Sequence, residues 1–163
     1  MTSTAPAHVP ALATPHEREE VGNQLQATLV ELIDLSLVGK QLHWTVVGPH
    51  FRSLHLQLDE MIDSWRNLSD TVAERAVALG YFPDGQARAV AAGTEVEPVE
   101  RGAIEDHVVV RDLTRRLADA SERIRGRMDR LGELDVASQD VLVEVVRALE
   151  EQLWMIRAQM PSH

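Results

Sequence analysis

The chain has 163 residues, no Cys and a formal net charge of −10, with a single Lys (Lys40) against fifteen Arg. That length fits one domain, and the missing thiols exclude disulfides, thiolate metal sites and thiol nucleophiles. The acidity weighs against strong nucleic-acid binding, which needs cations to neutralise phosphates; it suits either plain solubility or a surface or cavity that gathers cations.

Residues 1–13 are Ala/Pro/Thr-rich and uncharged apart from His8, and read as a flexible N-terminal arm ahead of a domain over 14–163. The arm lacks the basic region and long apolar run of a secretory signal, and no stretch is long enough to span a membrane, so a cytoplasmic protein is expected. Thr14-Pro15-His16-Glu17 reads as a helix start, with Thr14 as N-cap, Pro15 at the first position and Glu17 closing a capping box. The first helix should run to about Val47, where Gly48-Pro49 stops it. Leu25, Leu29, Leu32, Ser36, Gly39 and His43 alternate by four and three, which is a bundle seam. Val30, Ile33, Leu35, Leu37 and Val38 are apolar on further faces, as expected of a helix buried on several sides, for example at a subunit interface.

The second helix spans about 51–79 and ends at Gly80. It carries His55, Asp59, Asp70 and Glu74, four residues with metal-ligating side chains. His55 and Asp59 are four apart, and so are Asp70 and Glu74, so each pair stacks on one face. At about 100° per residue the four fall on one stripe, within about 100° of arc. Asp59 and Asp70 nevertheless stand about 16 Å apart along the axis, at roughly 1.5 Å per residue. One ion cannot be held by both pairs of one chain. Symmetry removes the conflict: the midpoints of Asp59/Asp70 and of His55/Glu74 both fall between Ser64 and Trp65. An antiparallel copy about a two-fold there sets His55 and Asp59 of one chain against Glu74 and Asp70 of the other, twice over. By the same register Asp63 faces Arg66 of the copy as an interface ion pair. Leu54, Leu58, Trp65, Leu68, Val72, Ala76 and Leu79 lie roughly 145° away and should face the chain's own core.

A long connection over 81–102, with a short helix near 86–91, leads to a third long helix over roughly 103–131. Val110, Leu113, Leu117, Ile124, Met128 and Leu131 form its inner face. Asp135 could cap the fourth helix, roughly 136–160, whose seam is Leu142, Val146, Leu149, Leu153, Ile156 and Met160. No strand pattern is evident. Four long helices with a long second connection describe an all-α, ferritin-like four-helix bundle.

Lys40-Gln41-Leu42-His43-Trp44, Gly48-Pro49-His50-Phe51, then His55, Asp59, Asp70 and Ala73-Glu74-Arg75-Ala76 resemble the signature of Dps proteins, the mini-ferritins. Ser138-Gln139-Asp140 and Gln152-Leu153-Trp154-Met155-Ile156 fit the same family, so the resemblance covers about 16–160. It implies a hollow dodecamer with ferroxidase sites at two-folds, built from His43, His55 and Asp59 of one subunit and Asp70 and Glu74 of its partner. The implied reaction is oxidation of Fe(II), preferably by hydrogen peroxide rather than oxygen, with ferric iron stored in the cavity and oxidative damage avoided. Imidazole and carboxylate ligands without thiolate suit iron, zinc or manganese.

The remaining features carry two readings each. Trp44 is packing, or, as the resemblance implies, a trap for stray radicals beside the site. Trp65 reads as core and Trp154 as structural. Asp135, Asp140 and Glu144, with Glu133 before them, suit helix capping and dipole compensation; the resemblance implies acids here that line three-fold pores admitting Fe(II). Asp140 lies beyond the first turn, so the dipole explains it poorly, and it is the leading pore residue. His8 and His16 are solvated or hold an extra metal. Dps proteins that compact the nucleoid often use Lys-rich tails. This chain has no Lys or Arg before Arg18 and ends three residues after Met160, so iron chemistry is favoured over a DNA-binding role.

Overall fold

The computed structural model describes residues 14–160; the arm, including His8, and Pro161 lie outside them. Helix α1 spans Pro15–Thr45, α2 Phe51–Ala78, the short α3 Ala87–Gly93, α4 Asp106–Gly132 and α5 Val136–Arg157. The long helices pack chiefly as two pairs, α1 along α2 and α4 along α5, and close into a four-helix bundle with α3 in the crossover. Thr14 caps α1 as expected: its hydroxyl oxygen accepts from the Glu17 N–H at 3.2 Å and the hydroxyl donates to the Glu17 carboxylate at 2.9 Å.

The core follows the seams. Leu25, Leu29, Leu32 and Leu42 of α1 and Leu54, Leu58, Trp65, Val72 and Ala76 of α2 are buried, each large apolar side chain gaining about 1.5–3 kcal/mol against chain entropy. Met128, Leu153 and Met160 are only half-buried at the margins. Trp65 sits at the centre, and its Nε1–H donates to Gln152 Oε1 at 2.7 Å, tying α2 to α5. Gly39 permits this approach of α1, because a Cβ there would lie 2.7 Å from Trp65 Cζ3.

Arg116 of α4 clamps the crossover. Its guanidinium is buried, donating to Asp112 Oδ2 at 2.6 Å, to the Pro98 carbonyl at 3.2 Å and to the Glu97 carbonyl. Glu31, buried in α1, is satisfied by Arg123 and Arg127 across the bundle. A buried carboxylate stripped of such partners would be strongly destabilising.

Three boundaries differ from the sequence reading. Helix α1 ends at Thr45 rather than about Val47, because Val46–Val47 (β1) pairs in parallel with Ile104–Glu105 (β2). The same pairing delays α4 to Asp106, and so corrects the expectation of no strand. Two residues are too few to show alternation, and the pairing joins segments far apart in sequence. At the other end α5 stops at Arg157, with 158–160 in turns.

Candidate metal centre

His43, from the last turn of α1, and His55 and Asp59, from the first turns of α2, converge. Their ligand atoms lie within 4.8 Å of one another. The helical hairpin through the short 46–50 connection makes this possible, since it sets the end of α1 beside the start of α2. The two imidazoles stack, with ring centroids 3.6 Å apart and planes 20° apart. They also bond reciprocally to each other's backbone: His43 Nδ1 lies 3.0 Å from the His55 carbonyl oxygen, and His55 Nδ1 lies 2.9 Å from that of His43. A carbonyl only accepts, so each Nδ1 carries the hydrogen and each Nε2 keeps its lone pair in the neutral ring. This is the tautomer and orientation that a metal-binding His needs.

Asp59 Oδ1 lies 3.3 Å from His43 Nδ1 and also accepts from the Lys40 ammonium. That hydrogen bond from Lys40 holds the Asp59 carboxyl below its ordinary pKa; partial burial opposes the effect and the neighbouring His43 adds to it. Lys40 escaped the sequence reading as a site residue. The available signal was its position three before His43 as the only Lys of the chain.

Asp70 and Glu74 do not join this cluster. Both are exposed, further along the same helix. Exposed apolar side chains stand near this helix pair: Leu37 is 59% and Trp44 69% exposed, with Phe51, Leu56 and Val47 also open. Leu56, Asp63 and Asp70 recur every seven residues on α2, so an apolar side chain shares the stripe with the unused acids. Within the chain Asp63 and Arg66 approach each other only to 3.9 Å, and both are exposed.

Asp135 is the N-cap of α5. It accepts from the Ser138 N–H at 3.1 Å and from Arg75 of α2 at 2.7 Å. Burial works against its charge, but the hydrogen bonds from Ser138 and Arg75 outweigh it and hold the pKa low. Asp140 and Glu144 are exposed one turn apart on α5. His16 is exposed, and Trp154 is 68% exposed rather than packed inside the chain. A second group of ligand-type residues, Glu105, Asp106 and His107, escaped the sequence reading altogether.

The ferritin-like domain profile matches residues 22–161. The chain is 34% identical over 145 residues to a "DNA protection during starvation protein" of Mycolicibacterium smegmatis, covering 88% of this chain and 78% of that one. It is 36% identical over 149 residues to a "fine tangled pili major subunit" of Haemophilus ducreyi, covering 87% and 75%. Among solved structures, DpsA14 from Streptomyces coelicolor superposes with a TM-score of 0.90 at 30% identity, covering 96% of this chain and 93% of that one. With the bundle, the crossover helix and sequence similarity over most of its length all in agreement, the chain belongs to the Dps family of ferritin-like proteins.

Proposed function

We propose that the protein is an iron-storing ferroxidase whose sites are shared between subunits of a dodecameric cage. The observation that carries this reading is the division of the ligands: His43, His55 and Asp59 converge within one chain, while Asp70 and Glu74 stay exposed on the same helix face. A two-fold between Ser64 and Trp65 reunites them, and the exposed Leu37, Trp44 and Leu56 give that contact apolar area to bury. Fe(II) is the substrate, bound by the two Nε2 atoms, Asp59, and the acids of the facing copy. Two ferrous ions each give one electron to hydrogen peroxide; its O–O bond breaks, and two protons complete two waters, so hydroxyl radical is not released. Carboxylate oxygens favour the ferric product, which is stored inside. The test is size-exclusion chromatography before and after Fe(II) and peroxide, with iron assayed across the protein peak. A monomer, or iron that elutes apart from protein, would overturn the proposal.

Lys40 holds Asp59, so an entering divalent ion must displace an ammonium. Lys40→Met should therefore bind Co2+, used as a redox-stable probe, several-fold more tightly in calorimetry. The gain is modest because a partly exposed ion pair is weak. Unchanged or weaker Co2+ binding would show that Lys40 does not compete for the site.

Exposed Asp140 and Glu144 are the proposed pore acids, since Asp135 is engaged as a cap and with Arg75. Asp140→Asn should slow iron uptake at low ionic strength, with the difference shrinking as salt screens the carboxylate ring. Equal uptake at all salt concentrations would make Asp140 an ordinary surface acid.

DNA should bind weakly at most. Twelve chains of formal charge −10 carry about −120 together, and phosphate neutralisation is the main source of non-specific affinity. Gel shifts with duplex DNA near pH 8, 7 and 6 check this. Tight binding at the highest pH in physiological salt would reveal an arginine surface strong enough to overcome the net charge.

A further inference from the structure

We infer that Phe82 of one subunit seats on Trp44 of the facing copy and forms an apolar cover beside His43. This rests on the shared-site reading above and adds to it a residue outside both ligand sets. Phe82 is 83% exposed, the most open large apolar side chain among the described residues. It is nevertheless held in place, because the residues around it are tied to α1. The Tyr81 ring lies over Gly22, where any Cβ would collide with it, and the Tyr81 hydroxyl donates to Asn23 Oδ1 at 3.1 Å. Gln26 Nε2 donates to the Asp84 carbonyl at 2.8 Å, and Gln26 Oε1 accepts the Asp84 N–H at 2.7 Å. Phe82 is thereby fixed beside residues 23–26 of α1.

Register then gives its level. The His43–His55 stack aligns the α1–α2 hairpin, so residues 23–26 stand level with 72–75 of α2, the turn that carries Glu74. A two-fold between Ser64 and Trp65 sets 72–75 level with 54–57 of the copy, and so with its residues 41–44. Trp44 lies at that level, next to His43. The side of the helix agrees. At about 100° per residue, Gly22, Gln26, Ile33, Leu37, Lys40 and Trp44 of α1 fall within roughly 60° of arc. The 81–86 segment covers Gly22 and Gln26, and Gly85 rests on Ile33, where a Cβ would lie 3.1 Å from Ile33 Cδ1. Leu37 and Trp44 continue the same face uncovered. Lys40, also on it, reaches Asp59, so this face opens on the side of the metal centre. A single exposed aromatic needs no partner. Here two of them share a face and are set level by a symmetry drawn from other residues. Both are rigid, and ring pairs of this kind favour contact. Seated there, Phe82 shields Trp44 and the neighbouring His43 from bulk water.

The chain has no Cys, so introduced thiols report alone. Trp44→Cys and Phe82→Cys chains are co-expressed, treated with a short bismaleimide and run on a denaturing gel. A cross-linked dimer is expected from the mixture and from neither variant alone. Asp63→Cys with Arg66→Cys chains tests the two-fold itself in the same way. Cross-linking in that control but not between positions 44 and 82 overturns the seating of Phe82 and leaves the shared site standing. Failure of both pairs overturns the two-fold and the seating together. A second measurement uses Trp154→Phe protein, in which Trp44 is the remaining exposed Trp because Trp65 is buried. Acrylamide quenching of the assembled protein should be weak, and adding Phe82→Ala should raise it several-fold with the assembly unchanged in size. Strong quenching before that change, or no rise after it, overturns the inference.

Discussion

Replacing both His43 and His55 by Gly should abolish rapid peroxide-dependent oxidation of Fe(II) while the cage remains assembled. Each imidazole is held by its Nδ1 on the other's backbone carbonyl, leaving Nε2 as the ligand atom. Disturbing only the groups that orient such a ligand costs about 10- to 100-fold, so deleting both ligands should exceed about 100-fold. Two helix glycines cost about 1 kcal/mol each, which a bundle of this core can bear. Asp70→Asn should produce the same defect from the other side of the contact. Co-assembly of the two kinds of variant chain is the decisive measurement. Mixed cages contain some sites with intact His43, His55 and Asp59 from one chain and intact Asp70 and Glu74 from another, so part of the activity should return. Cages that stay inactive when mixed would show that each site is built within one chain.

Trp65→Ala should lower the melting temperature by about 6–20 °C. A large aromatic removed from a core costs about 3–5 kcal/mol, and each kcal/mol moves a domain of this size by about 2–4 °C. The side chain is 1% exposed, packed under Gly39 of α1, and its loss also leaves Gln152 without its donor. Trp65→Phe should lose less, keeping most of the packing but not the hydrogen bond. Trp44→Ala, at an exposed position, should barely alter the fold of the chain but weaken assembly. Thermal unfolding followed by circular dichroism, with size-exclusion on the same samples, separates the two effects. Equal loss of melting temperature in Trp65→Ala and Trp44→Ala would place Trp44 in the core of the assembled protein rather than at its seam.

The four long helices were legible in the sequence because each repeats its apolar residues at helical spacing over many turns, and such a pattern survives whatever the chain packs against. Thr14 at the start of α1 and Asp135 at the start of α5 were legible because a cap acts within three residues. The stripe of His55, Asp59, Asp70 and Glu74 was legible too: helix geometry alone separates its two pairs along the axis, so that only His55 and Asp59 lie beside His43. Tertiary structure decided everything that joins distant segments. It shortened α1 by pairing Val46–Val47 with Ile104–Glu105, because so brief a ladder depends on a partner and leaves no period. It set Lys40 on Asp59, Trp65 on Gln152 and Asp106 on the His50 turn, single contacts between side chains and backbone 19, 87 and 56 positions apart. Local spacing is written into one helix and can be read from it; the meeting of two helix ends depends on how the whole bundle packs.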